Sequence, residues 1–127
     1  MLKINHIGYV VANIENFASS FPVISKIRQI YDPLQHADLA LYEAGSSTFI
    51  ELVTPLDKTS FTWNYLSRFG DGLHHICYEG IDEPAVESLI SSKRMLKIRG
   101  PIYAPLFGKN VIFAITRSRA IVEFLLP

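Results

Sequence analysis

The stretch Ile4-Asn5-His6-Ile7-Gly8-Tyr9-Val10 resembles a later stretch of the same chain, Leu73-His74-His75-Ile76-Cys77-Tyr78-Glu79. Both are strand-like, and both place a histidine and a tyrosine three residues apart. A short helical pattern follows each stretch, and each half then ends on a glutamate inside an apolar strand, Glu51 or Glu123. The spacing is 45 residues from His6 to Glu51 and 48 residues from His75 to Glu123. The spacing indicates an internal repeat of two modules.

Helix signals recur in both halves. Asn13 is suited to cap a first helix, whose apolar stripe is Ile14, Phe17, Ala18 and Phe21. Pro84 marks the first turn of the matching helix in the second half. Thr59 or Ser60 is expected to cap a third helix that joins the halves and ends at Gly70.

The other apolar segments read as strands, with hairpins at Gly45-Ser46-Ser47 and Thr116-Arg117-Ser118. Each half is therefore β-α-β-β-β. The sequence predicts one α+β domain over 1–127, with module 1 at about 1–56, a connecting helix at about 59–70 and module 2 at about 73–127. Its two βαβββ modules are expected to form a curved, mixed, mainly antiparallel sheet around a cleft.

Composition narrows the function classes. The 127 residues are 49% hydrophobic, which suits one compact domain. Twelve basic and twelve acidic residues give a formal net charge of zero. This balance argues against a nucleic-acid partner and against a polybasic surface that binds membranes. No apolar run is long enough to cross a bilayer, and the N-terminus has no apolar signal core. Because Cys77 is the only cysteine, we expect a cytoplasmic protein without disulfides.

Two glutamates and two histidines carry the candidate chemistry. Glu51 and Glu123 lie in apolar strands with no adjacent lysine or arginine, and a buried carboxylate needs a proton, a cation or a metal. Taken singly, each is more often a solvent-facing residue, and His6 and His75 are each more often structural. The repeat would bring the four together. Such a set suits a divalent ion such as Co, Ni, Mn, Fe or Zn.

Two motifs resemble the vicinal oxygen chelate superfamily, which includes glyoxalases and extradiol dioxygenases, and its methylmalonyl-CoA epimerase branch in particular. The segment 49–56, FIELVTPL, resembles the fourth-strand motif of that branch, and 69–77, FGDGLHHIC, resembles its Gly-x-His-His-Ile segment. The resemblance covers essentially the whole chain. It implies that the metal ligands are His6, Glu51, His75 and Glu123. His75 is chosen because it aligns with His6, which leaves His74 on the opposite face.

The resemblance implies proton abstraction next to a carbonyl of a small-molecule substrate such as an acyl-CoA, in a homodimer. Gln35 and Glu123 are the candidate catalytic residues. Gln35 stands where that branch carries a catalytic glutamate, and a neutral amide can orient a substrate but cannot act as a base. His36, Asp38 and Glu43 are alternative bases. Lys109 and Cys77 are candidate substrate contacts.

Two other functions fit the same residues. A glyoxalase I-type lyase uses the same kind of His-Glu-His-Glu ligand set, although the long connecting helix expected here argues against it. A non-catalytic small-molecule-binding member of the superfamily is the other alternative. Such members usually lose the metal ligands, and all four are present here.

Overall fold

A computed structural model describes residues 1–127 as eight strands and three helices. Module 1 contains β1 (Lys3–Val10), α1 (Ile14–Ser20), β2 (Ser25–Asp32), β3 (Ala37–Glu43) and β4 (Phe49–Pro55). The connecting helix is α2 (Trp63–Phe69). Module 2 contains β5 (Gly72–Glu79), α3 (Glu83–Ser92), β6 (Leu96–Ala104), β7 (Lys109–Ile115) and β8 (Ile121–Leu125). Both halves therefore have the predicted β-α-β-β-β order.

All eight strands belong to one sheet, in the order β2-β3-β4-β1-β5-β8-β7-β6. Strands β1 and β4 pair in parallel within module 1, and β5 and β8 do the same in module 2. Every other neighbouring pair is antiparallel, including β1 with β5, where the modules meet. The predicted fold class, a curved, mixed and mainly antiparallel α+β sheet, is confirmed.

The helices α1 and α3 cover one face of this sheet. Ile14 of α1 packs on Ile50 and Leu52 of β4. In module 2, Val86 and Ile90 of α3 pack on the corresponding face. Since side chains alternate along a strand, the residues between these apolar positions point to the other, concave face. That second face has its own apolar clusters and carries the candidate site.

Helix termini follow the sequence signals in the two modules. The Asn13 side chain accepts a hydrogen bond from the backbone N–H of Asn16 at 2.8 Å, so it caps α1 as predicted. Asp82 does the same for α3 through the N–H of Ala85 at 3.1 Å, and Pro84 lies in the first turn. These caps fix where each helix starts over the sheet.

The connecting helix is shorter than predicted. It begins at Trp63, because Thr59 and Ser60 use their hydroxyls in the preceding turn rather than as caps. The Ser60 hydroxyl accepts from the N–H of Leu56 and donates to the carbonyl of His36. Gly70 ends the helix with a φ of 72°, as predicted. No helix in the structure is long and apolar enough to cross a membrane.

Candidate metal centre

The strand registers bring two histidines and two glutamates onto one face. Within the β1–β5 pair, Gly8 lies opposite His75 and His6 lies opposite Cys77. On the outer side of each central strand, Glu51 of β4 pairs with Gly8 and Glu123 of β8 pairs with Cys77. The four side chains thus lie on four adjacent strands, β4, β1, β5 and β8. All are buried, with exposed fractions between 0% and 5%.

Ligand atoms of the four side chains converge on a single point. One atom from each of His6, Glu51, His75 and Glu123 lies within 4.8 Å of the other three. The two Nε2 atoms are 3.2 Å apart. Glu123 Oε1 is 3.1 Å from each of them, and Glu51 Oε1 is 3.5 Å from that of His6 and 3.2 Å from that of His75. Ligands about 2.0–2.2 Å from one ion have adjacent donors separated by about 3 Å, so these distances suit a shared cation.

The carboxylates control protonation of the imidazoles. Burial by itself lowers the pKa of His6, but Glu51 and Glu123 outweigh it and raise that pKa to about 10. The same balance raises the pKa of His75. In return, the two imidazoles outweigh the effect of burial on Glu51 and Glu123 and lower both carboxyl pKa values. The cluster therefore attracts positive charge, supplied either by protons on the histidines or by a metal ion.

One atom of the cluster is left without a hydrogen bond. Glu123 Oε1 is fully buried and has no hydrogen-bond partner, although both histidine Nε2 atoms are close to it. An unpaired buried carboxylate oxygen is costly. A divalent cation would satisfy this oxygen and would balance the two negative charges when both imidazoles are neutral. The donor set of two nitrogens and two oxygens could therefore hold a borderline metal.

A β-bulge in each central strand supplies a partner for the outer nitrogen of each histidine. The β1–β5 register shifts between Ile4 and His6 and again between Gly8 and Tyr9. The extra residue in β1 is Asn5, whose Oδ1 lies 2.8 Å from Nδ1 of His6. Because an amide oxygen only accepts, His6 carries its proton on Nδ1 and presents Nε2 to the centre.

The second bulge overturns the expectation for His74. Strict alternation would place it on the face opposite to His75, but the extra residue turns it toward the same face. His74 is buried, and its Nδ1 lies 2.8 Å from Nδ1 of His75. Burial, and then the charge of His75, lower the pKa of His74 to about 4. The prediction failed because periodicity cannot reveal a bulge.

Gly8 makes room for the site. A Cβ atom at this position would overlap the imidazole of His75, which lies directly across the strand pair. The ring of His75, a candidate ligand, therefore occupies the space that a side chain at position 8 would need. This is a close approach of the kind that favours glycine within a strand.

The turn between β6 and β7 covers the centre. The ring of Phe107 stacks on that of His6, with centroids 5.0 Å apart and planes inclined by 5°. Leu106 packs among the buried apolar residues of module 1, and its carbonyl accepts a hydrogen bond from Arg28 at 2.7 Å. A substrate that reaches His6 from the side of this ring must displace Phe107. Sequence reasoning missed Phe107, because the turn lies far from both histidine motifs along the chain.

The other candidate residues lie apart from this cluster or at its edge. Gln35 lies in the turn after β2, where its amide donates to the buried carboxylate of Asp32 at 3.0 Å, and no hydrogen bond links it to the four side chains. Cys77 is fully buried on the face of the cluster, and burial together with Glu123 and Glu51 raises the pKa of its thiol. Lys109 is exposed at the start of β7.

No hydrogen bond or ion pair links the alternative bases to the cluster either. His36 bonds through its two ring nitrogens to the Tyr31 hydroxyl and to Asp57, at 2.8 and 2.9 Å. Asp38 lines a small surface pocket beside α1, and Glu43 is exposed at the end of β3.

Solved structures with the same fold include several methylmalonyl-CoA epimerases. The enzyme from Mycobacterium tuberculosis superimposes with a TM-score of 0.82 at 21% identity, covering 98% of this chain and 87% of that one. A variant of the Streptomyces coelicolor epimerase in complex with 2-nitronate-propionyl-CoA gives 0.80 at 18% identity, covering 98% and 96%. A hypothetical protein from Bacillus halodurans C-125 gives 0.83 at 22% identity, covering 99% and 94%. At these identities the likeness is one of fold.

Sequence comparison identifies the superfamily to which the chain belongs. An uncharacterised protein of Bacillus subtilis (strain 168), YqjC, is 30% identical over 81 residues, which are 61% of this chain and 57% of that protein. The profile of the glyoxalase/bleomycin resistance protein/dioxygenase superfamily matches residues 5–100. Because this match spans well over half of the sequence, the chain belongs to the glyoxalase/bleomycin resistance protein/dioxygenase superfamily.

Proposed function

We propose that this protein is a metal-dependent isomerase or epimerase that moves a proton on the carbon next to a carbonyl, with an acyl-CoA as the substrate class. The observation that carries the proposal is the convergence of His6, Glu51, His75 and Glu123 within 4.8 Å in a buried site. The shared fold with several methylmalonyl-CoA epimerases supports the choice of reaction.

In this proposal the four side chains hold a divalent ion. When bound, such an ion would act as a Lewis acid that stabilises the enolate formed as the α-proton leaves. Asn5 and His74 fix the orientation of the two imidazoles through their Nδ1 atoms. Phe107 shields His6 from water on the side where its ring stacks.

Glu123 is assigned the proton transfer, because its carboxylate has a second oxygen besides Oε1, the atom that faces the two histidine nitrogens. Gln35 cannot act as a base, and its amide is already bound to Asp32, so its role is limited to orienting a substrate or water. Cys77 would form part of the inner wall. Lys109, an exposed cation at the start of β7, is assigned to a phosphate or carboxylate of the substrate.

The test is deuterium exchange from solvent into methylmalonyl-CoA, followed by mass spectrometry with Co²⁺-loaded protein. We expect exchange above the background of the metal-free protein, and its loss in Glu123→Gln. Glu83→Gln is the matched control, because Glu83 is an exposed glutamate in the first turn of α3. Absence of exchange in the loaded wild type would exclude this substrate. A gain of exchange in Gln35→Glu would indicate an epimerase scaffold whose base has been replaced.

A glyoxalase I-type lyase reaction is the second candidate. The observation in its favour is the seven-residue length of α2, because the longer connecting helix expected from the sequence had argued against it. The same loaded protein should be tested with the hemithioacetal of methylglyoxal and glutathione. Turnover of this substrate without exchange into methylmalonyl-CoA would favour the lyase.

A further inference from the structure

A second cavity lies on the helix-covered face of module 2, opposite the metal centre. Its volume is about 490 Å³, within the range of about 300–1,000 Å³ that small-molecule pockets occupy. Apolar side chains from α3, β5 and β8 form its walls, chiefly Leu89, Tyr78, Val122 and Phe124. Val122 and Phe124 flank Glu123 along β8, so they point away from the cluster that Glu123 joins.

Module 1 fills the corresponding space with aromatic rings. Tyr9 of β1 packs against Phe17 and Phe21, with ring centroids 5.3 and 5.0 Å away, and these two phenylalanines lie 4.8 Å from each other. These three aromatic side chains pack, together with the rest of α1, against the apolar face of β4. No cavity is lined by any of these three side chains.

Module 2 lacks two of these three rings. His6 and His75 are 69 residues apart, and the same offset relates Tyr9 to Tyr78. It also places Val86 at the position of Phe17 and Ile90 at that of Phe21. Both aliphatic side chains are buried in the core, and Tyr78 instead stacks on Phe124 at 6.1 Å. The helix-covered face of module 2 therefore has no counterpart of the aromatic cluster, and the cavity lies beside Tyr78 and Phe124.

The charged residues of the cavity all have the same sign. Lys93 at the end of α3 and Arg117 in the β7–β8 turn both line it, and no aspartate or glutamate does. Neither cation forms an ion pair or a side-chain hydrogen bond within the protein. An apolar cavity with two unpaired cations is complementary to a ligand that has an apolar body and an anionic head.

We propose that this cavity is a second binding site, for a small amphiphilic carboxylate whose chain or ring lies against Leu89, Tyr78 and Phe124 and whose carboxylate faces Lys93 and Arg117. The site is separate from the metal centre, because the two lie on opposite faces of the sheet. Its occupation does not depend on the function proposed above.

Decanoate is the probe, and decanol is the uncharged control of the same chain length. Titration into ¹⁵N-labelled full-length protein, followed by NMR, should shift the amide resonances of α3 and of the β7–β8 turn. We expect decanoate to bind at least about tenfold more tightly than decanol, a difference of about 1.4 kcal/mol, because its carboxylate faces both Lys93 and Arg117.

Two variants separate the headgroup from the apolar wall. Lys93→Glu should weaken decanoate binding at least about tenfold and leave decanol unchanged. Lys58→Glu is the matched control, because Lys58 is an exposed lysine that does not line the cavity. Leu89→Trp should fill the cavity and abolish binding of both probes. Leu89 is half-buried and lines the open cavity, so the larger ring has room, and circular dichroism verifies that the variant is folded.

Three results would overturn the proposal. The first is the absence of decanoate shifts at millimolar concentration. The second is equal affinity for decanoate and decanol, which would remove the role of the cations. The third is decanoate binding that Leu89→Trp leaves intact, because the ligand would then lie elsewhere.

Discussion

The two modules present the same pair of candidate ligands but support them differently. In module 1, Asn5 bridges His6 to the carboxylate of Glu79, to which its amide donates at 3.0 Å. In module 2, His74 takes the place of Asn5 and lies edge-on to the rings of Phe61 and Tyr65. His6 is therefore connected through the amide of Asn5 to a carboxylate. His75 instead contacts the imidazole of His74, which packs against two aromatic rings.

This difference shows which features both modules need in order to form a shared centre and which features can vary between them. Each half must deliver one imidazole nitrogen and one carboxylate oxygen, and each must hold the imidazole from behind. Any buried acceptor beside Nδ1 meets the second requirement. Asn5 meets it with an oxygen and His74 with a nitrogen, and a neutral His74 fits its pKa of about 4. The residues that support the two histidines thus differ between the modules, whereas each module supplies one histidine and one glutamate to the centre.

Removing the candidate ligand carboxylate of either module should have the largest effect on metal affinity. We expect Glu51→Ala and Glu123→Ala each to reduce Co²⁺ affinity more than about 100-fold, beyond the range typical of supporting residues. Isothermal titration calorimetry measures the affinity, and Glu43→Ala, at an exposed position on β3, is the control. Unchanged affinity in either variant would contradict a centre shared between the modules.

Substitutions at the two positions opposite the histidines, Gly8 and Cys77, should have the next largest effect on stability and metal affinity. Gly8 and Cys77 are equivalent in the repeat and each lies opposite a histidine, and at Gly8 a Cβ atom would overlap the imidazole of His75. We expect Gly8→Ala to cost about 1–3 kcal/mol of stability through overpacking and to reduce metal affinity by displacing His75. Cys77→Ala should leave the affinity nearly unchanged. Denaturant unfolding and calorimetry measure the two effects. If Gly8→Ala bound metal like the wild type, the assigned position of His75 would be wrong.

Exchanging the supporting residues tests the comparison itself. His74→Leu should reduce metal affinity about 10- to 100-fold, because His75 would lose the acceptor for its Nδ1 proton. His74→Asn copies the arrangement of module 1 and should retain most of that affinity. The absorption spectrum of bound Co²⁺ reports ligand geometry independently of activity. Equal losses in both variants would indicate that His74 acts through packing alone.

The pH dependence of the metal-free protein should be the mildest effect. The folded pKa of His6 is about 10, above the usual 6.5, so the stability it contributes is complete below pH 6.5 and is lost as pH rises toward 10. The pKa of Glu51 is lowered from 4.5, so its contribution is present above that pH and is lost as pH falls. The pKa of His74 is lowered from 6.5 to about 4, so its contribution is lost as pH falls below 6.5. Thermal unfolding in a chelator should therefore give the highest Tm near pH 6.5. A Tm that rises between pH 6.5 and 10 would contradict these shifts.

The metal-loaded protein should show the opposite trend with pH. Protons and metal ions compete for the same histidine nitrogens, so metal affinity should increase as pH rises. Calorimetry in buffers of different ionisation enthalpy should detect the protons released on binding. An affinity that does not change with pH would indicate that the histidines are not ligands.

The repeat made the architecture and the four clustered side chains predictable from the sequence. His6 and His75 were recognised from their place on matching strands, and Glu51 and Glu123 because a carboxylate between apolar neighbours is unusual. The cap at Asn13 and the position of Pro84 in the first turn of its helix followed from local chemistry. The start of the connecting helix did not, because Ser60 bonds to His36, a contact that depends on the tertiary fold.

By itself, the sequence determined the two modules, the order of their elements and the residues able to meet at the centre, because periodicity and spacing are local properties of the chain. Only the tertiary structure decided that bulges place Asn5 and His74 behind the histidines, that Gly8 accommodates an imidazole, and that Phe107 covers the site. These features arise from strand register and from contacts between distant segments. A one-residue bulge changes which face a side chain occupies without leaving any mark in the composition.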